Sequence, residues 1–453
     1  MSPGRECLLW IALILAAGAS IWADFEIVQQ ALIVGSNVGG WTYGYLQPAR
    51  FWSLAIAVIS FAVAWSALIS VEHFGGERVW RALLWCLVVG VFIQALLRSL
   101  TPFSLKQMFM SEGANAFYGV TLRHRPSVVL REFSALRQSW PLHAQSNMPG
   151  KIMLIYAFEV LSRSPGTLVW MIVLVSSLGA VLMYSFVRNL FEDATIALWS
   201  AILYLLVPGK LFFLPLMNVV TPVIVLLCAC LLQQWVGTRR PVVAALFGAA
   251  LYALAFFEPL PLVTGILFAA LLLRAIMRGT ISWREVTFHG VVALAAFGLT
   301  YVIVRVGTGF DLVQAFREIT AHALAFNRST GRPYSIWVRQ NLWDIAFGMG
   351  VCQAVLIPVA LGDSLMESYH TRQLTPAAVV TTALLVVLVL IDLLGVNRGE
   401  VVRLWIFLAC LLQIPAAYVC FRLKSRLAIA IVIACTLIES ALGTAMIGFV
   451  LPV

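Results

Sequence analysis

Apolar residues along this chain are grouped in long runs that polar segments separate. The runs cover, approximately, residues 8–23, 51–71, 79–98, 149–163, 167–187, 194–214, 217–236, 241–257, 259–274, 287–305, 343–361, 377–395, 402–421 and 427–450. An α-helix of about 20 apolar residues crosses a bilayer, and shorter runs are typical of tilted or re-entrant segments. The pattern therefore predicts an all-α, polytopic transmembrane bundle of about 13 helices. We expect residues 1–453 to form a single transmembrane domain.

Two polar segments, 99–148 and 307–342, are the longest gaps between the runs. Loops of this length without a domain of their own are uncommon and usually functional. Both contain amphipathic and aromatic stretches, Phe109 to Tyr118 and Tyr334 to Trp343, which predict short helices in the membrane interface. If the two segments converge around a cavity with Glu112 in its wall, an enzyme is favoured.

The composition narrows the class of protein. Hydrophobic residues make up 62% of the chain and charged residues 11%, which excludes a soluble enzyme or a nucleic-acid-binding domain. The 30 basic residues outnumber the 20 acidic ones, and all but four are arginine. In a membrane protein this excess indicates contact with anionic lipid headgroups or with a phosphate-bearing lipid. Arginine suits phosphate because its planar fork binds two oxygens at once.

The charges also bear on orientation. Arg5 precedes the first run, and Asp24 and Glu26 follow or end it, which favours a cytoplasmic N-terminus. Three crossings then place the segment 99–148 outside. That segment is itself rich in basic residues, which disagrees with the positive-inside rule, although the rule is weaker for long loops.

Glu112 is the first candidate for chemistry. It lies in the stretch Met110 to Tyr118, which is otherwise apolar or neutral. A carboxylate in a poorly hydrated loop is a competent general base, because desolvation raises its proton affinity. Glu112 has no adjacent arginine, so we expect it to be unpaired, with Tyr118 in support. The alternative is a glutamate that caps an interface helix.

A second candidate lies at the start of the next run. His143 and Asn147 precede Pro149-Gly150-Lys151, where a helix start brings backbone N–H groups and an ammonium together. Such an arrangement can bind phosphate. The alternative is a lysine that extends to the lipid headgroups.

A third candidate is the stretch Asn397 to Arg403, which interrupts two apolar runs. Ionisable groups at this depth are costly and usually functional. Arg398 and Arg403 are candidate phosphate ligands, as are Arg332 and Arg339. Glu400 supports the site, or simply pairs with Arg403 three residues later on the same helical face.

Several of these motifs resemble a known family. An acidic residue in the first large loop, followed by a Pro-x-x-Lys type of helix start, resembles the GT-C superfamily of integral-membrane glycosyltransferases, in particular its protein O-mannosyltransferase branch. Here Asn147-Met148-Pro149-Gly150-Lys151 replaces that branch's His-Pro-Pro-Leu-x-Lys. Further similar segments are 186–194, 203–215, 331–337 and 397–405.

The resemblance implies transfer of a sugar from a polyprenyl-phosphate-linked donor to a hydroxyl of a lipid, polysaccharide or protein, with inversion at the anomeric carbon. It implies that Glu112 is the base and that Lys151, Arg332, Arg398 and Arg403 bind the donor phosphate. The protein would lie among the lipids of a bacterial inner membrane, with its site on the outer face. With no D-x-D motif, the sequence requires no cofactor and predicts no metal.

Two other functions stay open. A transporter would show internal repeats and ionisable residues inside its spans, and no clear repeat is found. The nearest such residues are Glu159, Asp392 and Glu439, with Glu258 before Pro259 at a helix break. A non-catalytic, lipid-binding membrane subunit is the other alternative.

Overall fold

The structure, a computed structural model, describes residues 3–46, 50–73 and 79–452. About 79% of the chain is helical. Within the described residues, the strands are limited to a short antiparallel ribbon of β1 (Gly35–Ser36) and β2 (Trp41–Thr42), in which Gly35 pairs with Thr42. The prediction of an all-α protein is confirmed.

The helices follow one another along the chain with short connections. In the first half they are α1 (Pro3–Val28), α2 (Arg50–His73), α3 (Val79–Arg98), α4 (Leu105–Met110), α5 (Phe117–Arg123), α6 (Pro126–Arg131), α7 (Phe133–Leu136), α8 (Leu142–Gln145), α9 (Gly150–Glu159), α10 (Pro165–Phe191), α11 (Ala194–Leu205) and α12 (Pro208–Phe212). A 3₁₀ turn at Arg137–Ser139 joins α7 to α8. The segment 99–148 thus folds into five short α-helices and this turn.

The second half continues the pattern with longer helices. They are α13 (Thr221–Thr238), α14 (Pro241–Phe257), α15 (Gly265–Met277), α16 (Trp283–Thr308), α17 (Leu312–Ser329), α18 (Tyr334–Met349), α19 (Val351–Thr371), α20 (Pro376–Leu394), α21 (Val401–Leu404), α22 (Ile406–Leu411), α23 (Gln413–Arg422) and α24 (Arg426–Met446). Further 3₁₀ turns lie at Met217–Val220 and Leu260–Thr264. The segment 307–342 is therefore mostly helical.

Among the described residues, eleven helices are long and apolar enough to cross a membrane. They are Pro3–Val28, Phe51–Ser70, Val79–Arg98, Pro165–Phe191, Ala194–Phe212, Met217–Thr238, Leu260–Met277, Trp283–Thr308, Val351–Thr371, Pro376–Leu394 and Arg426–Met446. Two shorter apolar helices, Pro241–Phe257 and Ile406–Arg422, accompany them. The chain is a polytopic integral membrane protein.

Several predicted runs differ from the helices that form; the run 402–421, for example, is divided among α21, α22 and α23. The run 149–163 yields the ten-residue α9, which is too short to cross a bilayer. The run 343–361 is divided at Gly350, whose φ of 103° is accessible to glycine but not to a helical residue. The polypeptide therefore ends α18 there and begins the spanning helix α19 at Val351.

The chain divides into two compact units. The first unit comprises Met1–Pro102, Ser177–Leu214 and Arg332–Phe449. In it α1 packs against α19 and α24, α2 against α3 and α24, and α11 against α3 and α23. Glycines allow close approach, as membrane helices commonly require: a Cβ at Gly179 would lie 1.9 Å from the Tyr204 hydroxyl.

The second unit comprises Phe103–Ser176, Pro215–Gly331 and Val450–Val453. Its centre is α14, which packs against α13 and α16, and α9 packs against α5 and α14. The start of α9 touches the end of α14 directly, because a Cβ at Gly150 would lie 2.5 Å from the Phe256 carbonyl oxygen. The turn that precedes Lys151 is thereby held against the bundle.

Candidate functional site

In the second unit, Glu112 lies in the turn between α4 and α5. The turn is shaped by its own polar groups, since the Asn115 side-chain amide donates to the Phe109 carbonyl over 2.9 Å. Ala116 then adopts φ of 57°, a left-handed conformation that non-glycine residues rarely occupy, before α5 begins. Such backbone conformations are commonest at functional sites.

The expectation that Glu112 is unpaired and poorly hydrated is wrong. Its carboxylate forms an ion pair with Arg123, the last residue of α5, and 46% of its side chain is exposed. The reason is the helix itself, because α5 brings Arg123 back to the turn from eleven residues away. A Cβ at Gly119 would lie 3.0 Å from the Glu112 Oε1, so the glutamate lies along this helix.

Tyr118 lies on the same short helix and is buried. Its ring lies 4.9 Å from that of Phe109. Burial and then the charge of Glu159 raise the pKa of Tyr118. Glu159 accepts a hydrogen bond of 2.7 Å from Thr121. Tyr118 therefore belongs to the packing between α5 and α9, and its hydroxyl stays protonated at neutral pH.

Lys151 is fully buried in a polar cluster of the second unit. Its Nζ lies 3.1 Å from the Glu258 Oε2 and donates to the Asn147 Oδ1 over 2.8 Å. Thr221 also donates to Glu258, over 2.6 Å. The rings of Phe117 and Phe257 lie 5.8 and 5.9 Å from the ammonium. A lysine in these surroundings does not reach lipid headgroups.

Lys151 was expected to bind the donor phosphate, but the carboxylate of Glu258 occupies that place beside its ammonium. Glu258 was not chosen as a site residue, although a glutamate directly before Pro259 at a helix break is a visible signal. His143 lies at the edge of the cluster, where its backbone carbonyl accepts from the Asn147 amide over 2.8 Å. Asn147 thus links α8 to the Lys151 ammonium.

The two long polar segments meet within the second unit. Arg137 pairs with Glu318 over 3.2 Å, and the rings of Phe133 and Phe310 lie 5.5 Å apart. A cleft of about 330 Å³ lies beside these contacts, lined by residues 130–135, 309–311 and 314. Glu112 is not part of its lining, so the segments converge without placing the glutamate in this cleft.

In the first unit, Glu400 contacts two of the arginines that were predicted to bind phosphate. It forms an ion pair with Arg403, as the three-residue spacing predicted, and a second with Arg332 over 3.4 Å. The side chains of Arg332 and Arg403 are only 6% and 11% exposed. The backbone of Glu400, which pairs with both arginines, has a φ of 60° and is therefore in a left-handed conformation.

Arg398 joins this group through backbone oxygens. Its guanidinium donates to the carbonyls of Gly395 and Arg332 over 3.1 and 2.9 Å, and Arg332 in turn donates to the Arg398 carbonyl over 2.7 Å. The Tyr334 ring lies 5.4 Å from the guanidinium carbon. Within the described residues Arg398 forms no ion pair, so its charge is not offset by a carboxylate in contact.

The loop that carries Arg398 is held by α18. Asn341 donates to the Asp392 carboxylate and to the Asn397 carbonyl, over 3.0 Å each, and accepts from the Gly399 N–H over 3.2 Å. Gly399 is required here, because a Cβ would lie 2.8 Å from the Trp337 ring and its φ is 84°. The position of Arg398 is therefore set by buried polar contacts.

Two aromatic residues, Trp41 in β2 and Tyr43 just after it, lie beside these charges. The Trp41 ring lies 5.4 Å from the Arg332 guanidinium carbon and 4.2 Å from the ring of Tyr43. Burial raises the pKa of Tyr43 well above its ordinary value, and Glu400 raises it further while Arg403 lowers it. Tyr43 therefore lies within reach of these charges. We define the arginine cluster as Arg332, Arg398, Glu400 and Arg403.

Asp344 is a buried carboxyl that raises the pKa of Tyr43 as Glu400 does, and it was not predicted as a site residue. It lies in α18, outside the spanning helices, and burial raises its pKa from 3.8 to about 6. Its Oδ1 accepts from the Gly35 N–H over 3.0 Å and from Gln340 over 2.9 Å, whereas Oδ2 has no hydrogen-bond partner. The signal was an aspartate inside a predicted apolar run.

The predicted site residues thus fall into two sets, one in each unit. Glu112, Tyr118, His143, Asn147 and Lys151 belong to the second unit, and the arginine cluster belongs to the first. Over the described part of the chain, no group of three or more His, Cys, Asp or Glu side chains could hold a metal ion.

Comparisons with known proteins add no family to this picture. No model of a protein family matches the chain, and a search of curated proteins finds no match.

Proposed function

We propose that this protein is a membrane glycosyltransferase that moves a sugar from a polyprenyl-phosphate-linked donor to a hydroxyl acceptor, with inversion at the anomeric carbon. The observation that carries the proposal is the arginine cluster, in which three guanidinium groups contact a single glutamate or backbone carbonyls directly after an apolar spanning helix.

The cluster suits a phosphate in charge and in geometry. Three arginines against Glu400 give these four side chains a formal charge of about +2, and a phosphate leaving group carries one or two negative charges. Glu400 and the carbonyls hold the guanidinium groups in place, so little rearrangement is needed as charge develops on the phosphate. Arg398, which lacks a carboxylate partner within the described residues, is the principal ligand in this proposal.

The neighbouring surface suits a polyprenyl chain. Helix α20 ends at Leu394, and the cluster's loop begins directly after it. Leu390, Leu393 and Leu394 at this end are 38%, 57% and 55% exposed. Exposed leucines on a spanning helix contact lipid, so an isoprenoid tail lying along them would bring its phosphate to Arg398.

Glu112 is the base in this proposal. Its side chain is 46% exposed, so an acceptor hydroxyl can reach the carboxylate. The acceptor proton moves to the Glu112 carboxylate while the acceptor oxygen bonds to the anomeric carbon. The bond from that carbon to the phosphate oxygen breaks, and the phosphate leaves with the electron pair.

The test measures donor binding and sugar transfer side by side. Membranes that contain the overexpressed protein are given radiolabelled polyprenyl-phosphate sugars, and the label is followed into membrane lipids, polysaccharide and protein. Donor binding is measured on the purified protein. We expect Glu112→Gln to retain donor binding and to lose transfer by about 10²–10⁴-fold, the usual cost of removing a general base. Glu132→Gln, an exposed glutamate in the same segment, is the matched control.

Three results would contradict the proposal. Wild-type turnover in Glu112→Gln removes this residue as the base, and so does a joint loss of donor binding and thermal stability. Donor binding by the wild type without transfer to any acceptor class would indicate a lipid-binding subunit instead.

A further inference from the structure

Two buried carboxylates of the first unit interact where their helices pack together. Asp24 in α1 and Glu439 in α24 are 7% and 0% exposed. Ser20 precedes Asp24 by four residues and Cys435 precedes Glu439 by four, so each pair shares one helical face. The Ser20 hydroxyl contacts the Cys435 thiol, and Asp24 interacts electrostatically with Glu439. The two acidic faces therefore oppose each other where α1 packs against α24.

These carboxylates are only partly satisfied. The Glu439 Oε2 accepts from the N–H of Val351, the first residue of α19, over 3.0 Å. The Glu439 Oε1 and the Asp24 Oδ1 are buried and have no hydrogen-bond partner. The titratable groups that interact with the pair are the thiols of Cys435 and Cys352, and no basic group does so within the described residues.

A neutral side-chain oxygen of α19 lies beside the residue that precedes Val351. Gln353 is fully buried, and its amide nitrogen donates to the Thr436 hydroxyl, one turn before Glu439, over 2.7 Å. Its Oε1 has no partner and lies over Gly350, where a Cβ would be 2.3 Å away. Gly350 is adjacent to Val351, whose N–H binds Glu439. The oxygens without partners in Glu439 and Gln353 thus both lie at the start of α19, and the third belongs to Asp24, which interacts with Glu439.

The charge balance indicates what such a group binds. Two carboxylates in an apolar interior are costly unless a positive charge compensates them. The N-terminus of α19 supplies roughly half a positive charge beside Glu439. One further unit charge would nearly balance the pair, and carboxylate and amide oxygens are ligands for hard cations.

We propose that Asp24, Glu439 and Gln353 form a binding site for a monovalent cation of the sodium type. The site lies in the spanning helices α1 and α24 and at the start of α19, and it is independent of the proposed sugar transfer. A bound cation would hold these three helices together.

The test compares thermal unfolding of the purified full-length protein in sodium chloride and in choline chloride at equal ionic strength. We expect the unfolding temperature to rise by several degrees between about 1 mM and about 300 mM Na⁺, as for any ligand that binds only the folded state. Asp24→Asn and Glu439→Gln should abolish the rise. Glu439→Gln keeps an acceptor for Val351, so the variant should fold. Glu26→Gln on α1 is the matched control and should keep the rise.

Retention of ²²Na⁺ by the wild type and the control, and its loss in the two variants, would support the same site directly. An unfolding temperature that does not respond to Na⁺, or that responds equally in all variants, would overturn the proposal. Stabilisation by acidic pH without any effect of Na⁺ would also overturn it, because the pair would then share a proton.

Discussion

The two basic groups that the sequence offered as phosphate ligands differ in how their charge is balanced. Lys151 in the second unit has no exposed surface and one carboxylate, Glu258, at 3.1 Å. In the arginine cluster, two arginines share Glu400 and Arg398 contacts only carbonyls and a ring. A buried lysine paired with one carboxylate has no net charge left to bind a phosphate. The arginine cluster, in contrast, keeps a net positive charge. The proposed donor site therefore contains the arginines of the cluster and not Lys151.

The difference comes from the chain segment that packs against Lys151 and the one that carries the arginines. Lys151 lies against the end of α14, where Glu258 follows the last helical residue. Arg398 and Glu400 lie in the loop after α20, Arg403 lies in α21 and Arg332 lies before α18, so a single glutamate is too few to neutralise the three arginines. Breaking a buried pair is expensive, because it leaves one charge buried without a partner.

The largest expected effect comes from breaking the Lys151 pair. Lys151→Met should lower stability by about 3–5 kcal/mol, because Glu258 would remain buried without its cation. The double variant Lys151→Met/Glu258→Gln should regain most of this loss. Thermal unfolding in detergent measures both, and Lys106→Met, an exposed lysine in α4, is the control.

The structural role of Lys151 would be contradicted if Lys151→Met folded with wild-type stability and lost donor binding. That result would return Lys151 to the phosphate site. Recovery in the double variant, by contrast, can arise only if the single variant suffers from the uncompensated glutamate.

The next effect concerns Asp344, the buried carboxyl of the first unit. Its pKa of about 6 in the folded chain exceeds the ordinary 3.8, so the folded state holds an extra proton between these values. Its contribution of about 3 kcal/mol is complete below pH 4 and is lost as the pH rises to about 6. Asp344→Asn should remove this decline while keeping an acceptor for the Gly35 N–H.

Unfolding temperatures of the wild type and of Asp344→Asn, measured from pH 4 to pH 8, check this prediction. The gap between them should widen in favour of the variant up to about pH 6 and then stay constant. Parallel curves over the whole range would show that Asp344 is not buried as a neutral acid. Glu132→Gln, which changes an exposed carboxylate, should follow the wild type throughout.

The smallest effect is expected for single arginines of the cluster. Arg398→Ala should weaken donor binding by about tenfold, since two other arginines remain and a charged hydrogen bond contributes about 1.5–3 kcal/mol. Arg398→Lys should restore only part of the affinity, because an ammonium cannot make a two-point contact with phosphate. Binding of a radiolabelled polyprenyl-phosphate sugar to purified protein is the measurement.

Arg163→Ala, which removes an exposed arginine before α10, is the control and should bind the donor as the wild type does. Unchanged affinity in Arg398→Ala and in Arg403→Ala together would remove the cluster from the donor site. Equal affinity in Arg398→Lys and wild type would argue against two-point recognition.

Local features of the structure follow from the sequence alone. Long apolar runs determine spanning helices because every backbone group in a bilayer must be hydrogen-bonded within its own segment. The pairing of Glu400 with Arg403 was predictable for a similar reason, since residues three apart lie on one helical face. Gly350 and Pro208 interrupt apolar runs, and helices end or begin beside both.

The partners of buried charges were decided by the tertiary structure. Lys151 and Glu258 are about a hundred residues apart, and Arg332 and Arg398 are 66 apart, so no periodicity connects them. Glu112 was expected to be dry, but the fold of α5 placed Arg123 beside it and left both exposed. Hydrophobic patterning depends on each residue's own side chain, whereas the state of a charge depends on the groups that folding brings to it. The sequence by itself determined that this is a helical membrane protein, and only the tertiary structure decided which of its charges are already paired.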